Sequence, residues 1–296
     1  MPDCPLDLLQ VFFGAANNAE ARVYARLPVD GASGLTLAGK VEGPDCLYAK
    51  SLPTSFRLTD RGPGTTLLAE AIVSDPCFWS SDLPALYQVD VELRKDGKAI
   101  DATRRTLGIR LLGVSGSRFF WEGKNWVVRA ARRELAADAP LAEWREAMLA
   151  MIVTDPDEAL LAEASRQGVM IVADVSSRTT VARLQALARW PAVVLAIVAE
   201  TDEVSLSATR SWPNLLLARR STSDDSHKGR GNNSIRIVRN LDALARLNET
   251  SETRSPLIVE RMMDESTTSV GDLRAACDRL QGDAAGRGEI AGYFIF

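Results

Sequence analysis

Past residue 168 the chain falls into a two-part rhythm. A short apolar run, Val169 to Ala173 (VMIVA), precedes a helical stretch from Thr179 to Arg189, and a second apolar run, Val193 to Val198, follows. Runs this short with no polar face suit strands covered on both sides, as a parallel sheet requires. The rhythm extends in both directions. Helical patterns occupy Trp144 to Met151, Asp157 to Gln167 (stopped by Gly168), Leu241 to Leu247 and Val270 to Leu280. Further strand candidates are Leu215 to Ala218, Ile235 to Val238, Leu257 to Val259 and Tyr293 to Phe296. Alternating β and α elements predict a parallel sheet, either doubly wound and open or closed as a (β/α)8 barrel.

The first part of the chain has a different texture. Tyr87, Val89, Val91 and Leu93 alternate with Gln88, Asp90, Glu92 and Arg94, a strand with one wet face. Asp96-Gly97 follows as a hairpin signal. The next run, Thr103 to Leu112, sets Leu107, Ile109 and Leu111 on one face. Val23, Ala25 and Leu27 alternate likewise, and Gly and Pro clusters separate the runs. Short strands with turn punctuation predict a β-sandwich of about 100 residues. The expected organisation is an N-terminal segment over 1–20, a sandwich over 21–113 and a compact α/β domain over 117–296, with Gly113 to Ser117 as the junction. The last part has about 180 residues, short for a barrel that usually takes ~250.

Several function classes fall away. Lys plus Arg is 35 against 39 for Asp plus Glu, a net charge of -4 that does not suit a phosphate backbone, so no nucleic-acid partner is expected. The longest apolar run, Ala192 to Ala199, is far short of the ~20 residues of a membrane span. Asp3 and Asp7 stand where a signal peptide carries positive charge, so the expected location is cytoplasmic. Cys4, Cys46, Cys77 and Cys277 lie too far apart in sequence for a zinc or redox motif, and no metal or cofactor is expected. With one histidine, His227, in a polar loop, triads and multi-histidine metal centres have little to draw on.

The stretch Phe78-Trp79-Ser80-Ser81-Asp82-Leu83-Pro84-Ala85-Leu86-Tyr87 resembles the W-S-P-E-x-P-x-L-Y motif of glycoside hydrolase family 2, which includes β-galactosidases, β-glucuronidases and β-mannosidases. Leu107-Gly108-Ile109-Arg110 resembles its G-F/I-R strand, and Phe119 to Lys124 its F-x-x-N-G-K lead-in to the barrel, with Glu122 for Asn. Fainter likenesses follow at Met151 to Pro156, Leu160 to Asp174, Trp190 to Val193, Ser255 to Glu260 and Gly292 to Phe296. The resemblance implies an immunoglobulin-like sandwich followed by a TIM-type barrel, without the family's N-terminal jelly roll. The outer face of the sandwich is then a candidate surface for a protein partner or for self-association.

Retaining glycosidases use two carboxylates, one acid/base and one nucleophile. The resemblance implies Glu200 and Glu260 for these roles, but the family's spacing sets each one residue early, with Thr201 and Arg261 at the expected positions. A one-residue slip turns a strand side chain to the opposite face unless a bulge restores it. Asp174 stands where the family has a strand-three Glu, and with Trp121, Thr201 and Arg261 it makes up the expected sugar-binding set. Each has a plainer reading. Glu260 is a candidate ion pair with Arg261 or Arg254, Glu200 a solvated charge beside Asp202 and Glu203, and Trp121 and Trp126 are candidates for packing. Arg129, Arg132 and Arg133 read as a solvated face. The favoured expectation is a carbohydrate-binding scaffold that no longer hydrolyses. The alternatives are an active retaining O-glycosidase, a homologue that binds a protein, and an unrelated α/β enzyme with an appended sandwich.

Overall fold

The computed structural model describes residues 5–29, 34–199, 215–220, 235–239, 255–263 and 269–296. The chain divides into two compact units, with the main break between Arg110 and Leu111.

The first unit is an antiparallel sheet of seven strands: β1 (Gln10–Ala16), β2 (Glu20–Leu27), β3 (Leu35–Asp45), β4 (Thr54–Asp60), β5 (Leu67–Ser74), β6 (Leu86–Lys95) and β7 (Lys98–Leu107). Their order is β1-β2-β5-β4-β3-β6-β7. β4 lies along β3 from Thr54 to Leu58 and reaches β5 only through Thr59 and Asp60. The sheet turns at this strand into a sandwich-like pair of layers. Inward residues of both layers, among them Val23, Ala25, Leu37, Val41, Leu58, Val89 and Val91, fill one apolar core. The alternation read at Tyr87 to Leu93 is the burial pattern of β6. Asp96 and Gly97 close the β6–β7 hairpin with φ of 51° and 79°, the pair of left-handed residues that a two-residue hairpin turn demands.

Two expectations for this region change. The stretch 1–20 carries β1, which pairs with β2, so it supplies an edge strand of the sheet. The strand expected to run to Leu112 stops at Leu107. Beyond it the Ile109 carbonyl accepts from the Trp79 N–H (2.6 Å), which ties the chain to another segment and ends its pairing with β6.

In the second unit, a small antiparallel sheet of β8 (Leu112–Ser115), β9 (Arg118–Trp121) and β10 (Lys124–Trp126) takes in the junction expected over Gly113 to Ser117 and the first residues beyond it. Then come eight strands: β11 (Val128–Arg132), β12 (Ala150–Thr154), β13 (Ile171–Asp174), β14 (Val193–Val198), β15 (Leu216–Arg220), β16 (Ile235–Val238), β17 (Leu257–Arg261) and β18 (Gly292–Ile295). Each pairs in parallel with the next, and β18 pairs with β11 to close a barrel. Closure excludes the open doubly wound sheet. The described helices are α1 (Leu141–Glu146), α2 (Glu158–Gln167), α3 (Val181–Ala188) and α4 (Val270–Asp283). The helix expected over 241–247 lies outside the described residues. The one expected over Trp144 to Met151 ends at Glu146. Met148 takes a left-handed φ of 50°, and Ala150 to Ile152 pair with Ala130 to Arg132. Tertiary pairing overrides the local helical pattern there.

The strands are staggered. Val128 leads through Gly292, Ile258, Ile237 and Arg220, and then, projected along the strands, through Ala199, Ser176 and Pro156 to Ala136. One circuit therefore returns from residue 128 to residue 136, an offset of eight. Side chains alternate in and out. Arg129 on β11 reaches Asp278 and Gln281 of α4, so it faces outward, while Val128, Ala130 and Arg132 face in. At the N-terminal end the interior is apolar and tight. A Cβ on Gly292 would collide with Val128 and approach Ile258.

Candidate functional site

At the other end of the barrel the interior becomes ionic. β13 ends in Asp174, β15 in Arg220, and β17 carries Glu260 as its penultimate residue. Strands of alternate number face one another across a closed parallel barrel, so these three side chains meet over its axis. Asp174 is 5% exposed and Glu260 4%. Arg220 bridges them, with Nη1 donating to Asp174 Oδ2 (3.0 Å) and Nε donating to Glu260 Oε2 (3.3 Å). Asp174 Oδ1 also accepts from the Ser176 hydroxyl (2.6 Å) and the Ser176 N–H (3.2 Å). The other Glu260 oxygen, Oε1, accepts from Arg239 Nε (3.2 Å). Burying a carboxylate is costly unless charge and hydrogen bonds compensate it. Here each buried acid has a guanidinium on at least one oxygen.

Beneath the network lies an aromatic ring. The guanidinium carbon of Arg220 is 4.7 Å from the Phe296 ring centroid, and that of Arg132 is 5.4 Å from it. Phe296 is pinned by its backbone: its N–H donates to the Arg261 carbonyl (2.9 Å), and its carbonyl accepts from the Met263 N–H (2.6 Å). The ring is thus a fixed platform under two arginines.

The structure sorts the expected residues. Asp174 and Glu260 come together, and Glu260 faces into the barrel. Its partners are Arg220 and Arg239, not Arg261. Arg261 faces outward and donates to Asp283 of α4 (2.7 Å), so it is not at the mouth. Trp121 lies in β9 with its ring 5.3 Å from that of Trp126, so the small sheet holds it. Glu200, Thr201 and His227 lie outside the described residues. The arginines expected as a solvated face divide, because Arg129 binds α4 while Arg132 lies over Phe296. Sequence reasoning missed Arg220, Arg239 and Phe296 as site residues. The available signal was parity: Arg220 stands two residues beyond Ala218 in an apolar strand, on the same face at its C-terminal end.

The comparisons with known proteins agree with this frame. Residues 11–110 match the family model described as glycosyl hydrolases family 2. Through its sandwich, the chain is related to glycoside hydrolase family 2. A β-galactosidase of Oenococcus oeni is 30% identical over 76 residues, 25% of this chain and 7% of that protein. A family 2 member from Bacteroides cellulosilyticus aligns over 97% of this chain and 45% of its own, with a TM-score of 0.66 at 16% identity. A Bifidobacterium dentium β-glucuronidase, complexed with coumarin-3-O-glucuronide, aligns over 97% of this chain and 59% of its own, with a TM-score of 0.63 at 14% identity. The chain spans about half the length of these two solved proteins. Over the barrel the likeness is one of fold.

Proposed function

We propose that this chain is a family 2-like protein that binds carbohydrate at the barrel mouth and has lost two-carboxylate hydrolysis. The observation that carries the reading is the engagement of both buried acids. Glu260 accepts from a guanidinium on each oxygen, and Asp174 shares one of those guanidiniums. A retaining site sets its nucleophile and its acid ~5–5.5 Å apart across an open space that the sugar occupies. Arg220 occupies the space between Asp174 and Glu260. With a guanidinium on each oxygen, Glu260, the expected nucleophile, is held in ion pairs and not presented to a sugar ring.

The finer fold assignment belongs to the same proposal. Eight strands with a stagger of eight residues is the combination of a TIM-type (β/α)8 barrel. The match over residues 11–110 supports an immunoglobulin-like sandwich before it. The catalytic pair Glu200 and Glu260 belongs to the rival reading, an active glycosidase.

The deciding experiment incubates the chain and its Glu260→Gln variant with nitrophenyl β-glucuronide, β-galactoside and β-mannoside, and measures saccharide binding alongside. Saturable binding with no turnover in either protein supports the proposal. Turnover by the wild type that disappears in Glu260→Gln overturns it in favour of a working nucleophile.

A further inference from the structure

The outward face of the sandwich carries a hollow. Across β4, β3, β6 and β7 the register sets Arg57, Lys40, Asp90 and Arg104 side by side in one row. Their neighbours along the strands, among them Leu58, Val41, Val89 and Val91, face the core, so this row faces out. Two residues further along each strand, the next outward row holds Ala38, Glu92 and Ala102. The two alanines are too short to fill the surface between the long charged side chains. Gly39, beside Ala38, adds nothing, and a Cβ there would meet the Asp90 carbonyl oxygen at 1.9 Å. The hollow over these three residues measures about 580 Å³, and Arg94 closes its far side. That volume lies within the ~300–1,000 Å³ of small-molecule sites.

Four cations meet three carboxylates here. Arg104 donates from Nε and Nη2 to the two oxygens of Asp90 (2.5 and 2.9 Å). Arg94 donates from Nε and Nη2 to Glu92 Oε2 (3.0 and 2.6 Å). Lys40 donates to Glu42 Oε1 (2.7 Å) at the margin. Each carboxylate thus has its cation, and Arg57 is left with no acceptor among the described residues. Arg57 also stands directly opposite Lys40, and like charges in that position destabilise a sheet. A local rule broken in this way, with no relief among the described residues, fits a place where a ligand supplies the missing charge. We propose that Arg57 and Lys40 hold the phosphate or sulfate group of a hydroxylated small molecule whose body lies in the hollow over Ala38 and Ala102. A carboxylate has two oxygens, which the fork of one guanidinium fills. A phosphate or sulfate ester has three terminal oxygens, enough for the fork of Arg57 and the ammonium of Lys40 together. Glu92 Oε1 and Arg94 Nη1 have no partner among the described residues, so the hollow offers hydroxyls one acceptor and one donor. This site belongs to the sandwich and does not rest on the carbohydrate reading of the barrel.

The test is calorimetric titration of the full chain with inorganic phosphate, inorganic sulfate, glucose, a hexose phosphate and a hexose sulfate, at low and at high salt. Arg57→Gln removes the unpaired cation, and Ala38→Gln fills the hollow while leaving every charge in place. At least one hexose ester is expected to bind about tenfold more tightly than glucose and than its inorganic ion, and to lose about tenfold in Arg57→Gln and at high salt. Ala38→Gln is expected to weaken the ester and to spare the inorganic ion, which separates the hollow from the charge. Which ester binds better identifies the anion. The urea midpoint of Arg57→Gln should be no lower than that of the wild type, because the repulsion of Lys40 goes with the side chain. Glucose binding as tightly as both esters, no binding of any anion, or ester binding unchanged in both variants overturns the site. Ester binding no tighter than that of the inorganic ion and indifferent to Ala38→Gln overturns the role of the hollow. A lowered midpoint in Arg57→Gln shows that Arg57 serves the fold and overturns the premise.

Discussion

The two units treat a buried carboxylate in opposite ways. In the sandwich, Glu70 of β5 is buried on the outward face, where Arg22 (3.1 Å), Arg61 (3.2 Å) and the Tyr24 hydroxyl (3.1 Å) cover it. The inward face stays wholly apolar, with Leu67, Ala69, Ala71 and Val73 from the same strand in the core. In the barrel, Glu260 and Asp174 are buried on the inward face, and the arginines that compensate them come from inside as well. The described core of the sandwich is apolar packing. The barrel interior is divided, with packing at the Gly292 end and charge at the Phe296 end. A polar interior near the ends of parallel strands is where function sits in closed parallel barrels, which is why the site is placed there.

The largest expected effect tests that contrast directly. Val23 is fully buried among apolar neighbours of the sandwich core. Val23→Asp sets a carboxylate there with no partner and should cost about 4 kcal/mol or more, enough to prevent folding of this unit. A folded variant in circular dichroism would show that the sandwich interior tolerates charge after all. The converse change in the barrel should cost less. Glu260→Leu removes a carboxylate and leaves Arg220 and Arg239 behind. Breaking a fully buried pair costs ~3–5 kcal/mol, but Arg220 is 25% exposed and Arg239 more so, and both can turn to water. A loss of about 2–3 kcal/mol is expected from the urea midpoint. No loss at all would show that the arginines do not depend on Glu260.

How far these regions could be read in advance follows the same division. Local signals were legible. β14 has the bounds Val193–Val198 read from its apolar run, and α2 ends before Gly168 as read, while Asp157, expected as its first residue, caps it instead. The Asp96-Gly97 turn was equally plain, because a two-residue hairpin of this kind demands left-handed residues. What depended on distant partners was not. Closure of the barrel rests on β18 meeting β11 across more than half the chain, and no local pattern distinguishes this from an open sheet. The facing of Glu260 depended on the register of β17 against β16 and β18, which one sequence cannot fix to a single residue. Arg220 fell two residues beyond the strand expected over Leu215 to Ala218, and its meaning arises only when Asp174 and Glu260 arrive from two other strands.

A smaller effect appears at alkaline pH, once in each unit. In the sandwich, burial pushes the Tyr87 phenol from 10.0 up to about 12, and its oxygen accepts from the Cys77 N–H at 2.8 Å. In the barrel, burial on the inner face of α4 pushes the Cys277 thiol from 9.0 up to about 12. Both groups have folded values above their unfolded ones, so folding keeps their protons on. The associated stability is complete below the unfolded values and is lost as pH rises towards 12. In that window the unfolded chain binds fewer protons than the folded one, and stability falls by about 1.4 kcal/mol per pH unit for each group. The decline begins near 9 for the barrel and near 10 for the sandwich. Urea midpoints measured up the pH scale should show it. Cys277→Ala should remove the earlier onset and Tyr87→Phe the later one. Slopes unchanged in both variants would refute the assignment.

The smallest effects concern how each unit begins and ends its elements, and they separate a side-chain requirement from a backbone one. In the barrel, Asp157 precedes α2 in an extended conformation, and its Oδ1 accepts from the Leu160 N–H at 2.8 Å. The oxygen satisfies one of the free N–H groups of the first turn, so Asp157→Ala should cost about 1 kcal/mol. Asp157→Asn keeps an acceptor and loses only the charge at the positive end of the helix, a few tenths of a kcal/mol at an exposed position. In the sandwich, Gly97 at φ 79° has no neighbouring atom within 4 Å of the place a Cβ would take. Gly97→Ala therefore meets no clash, and its cost of about 1 kcal/mol comes from the left-handed backbone itself. Asparagine tolerates that region better than alanine does. It should recover part of the loss at position 97 and most of it at position 157, by different means. Equal recovery at the two sites in urea midpoints would indicate that one cause, backbone preference or side-chain capping, governs both.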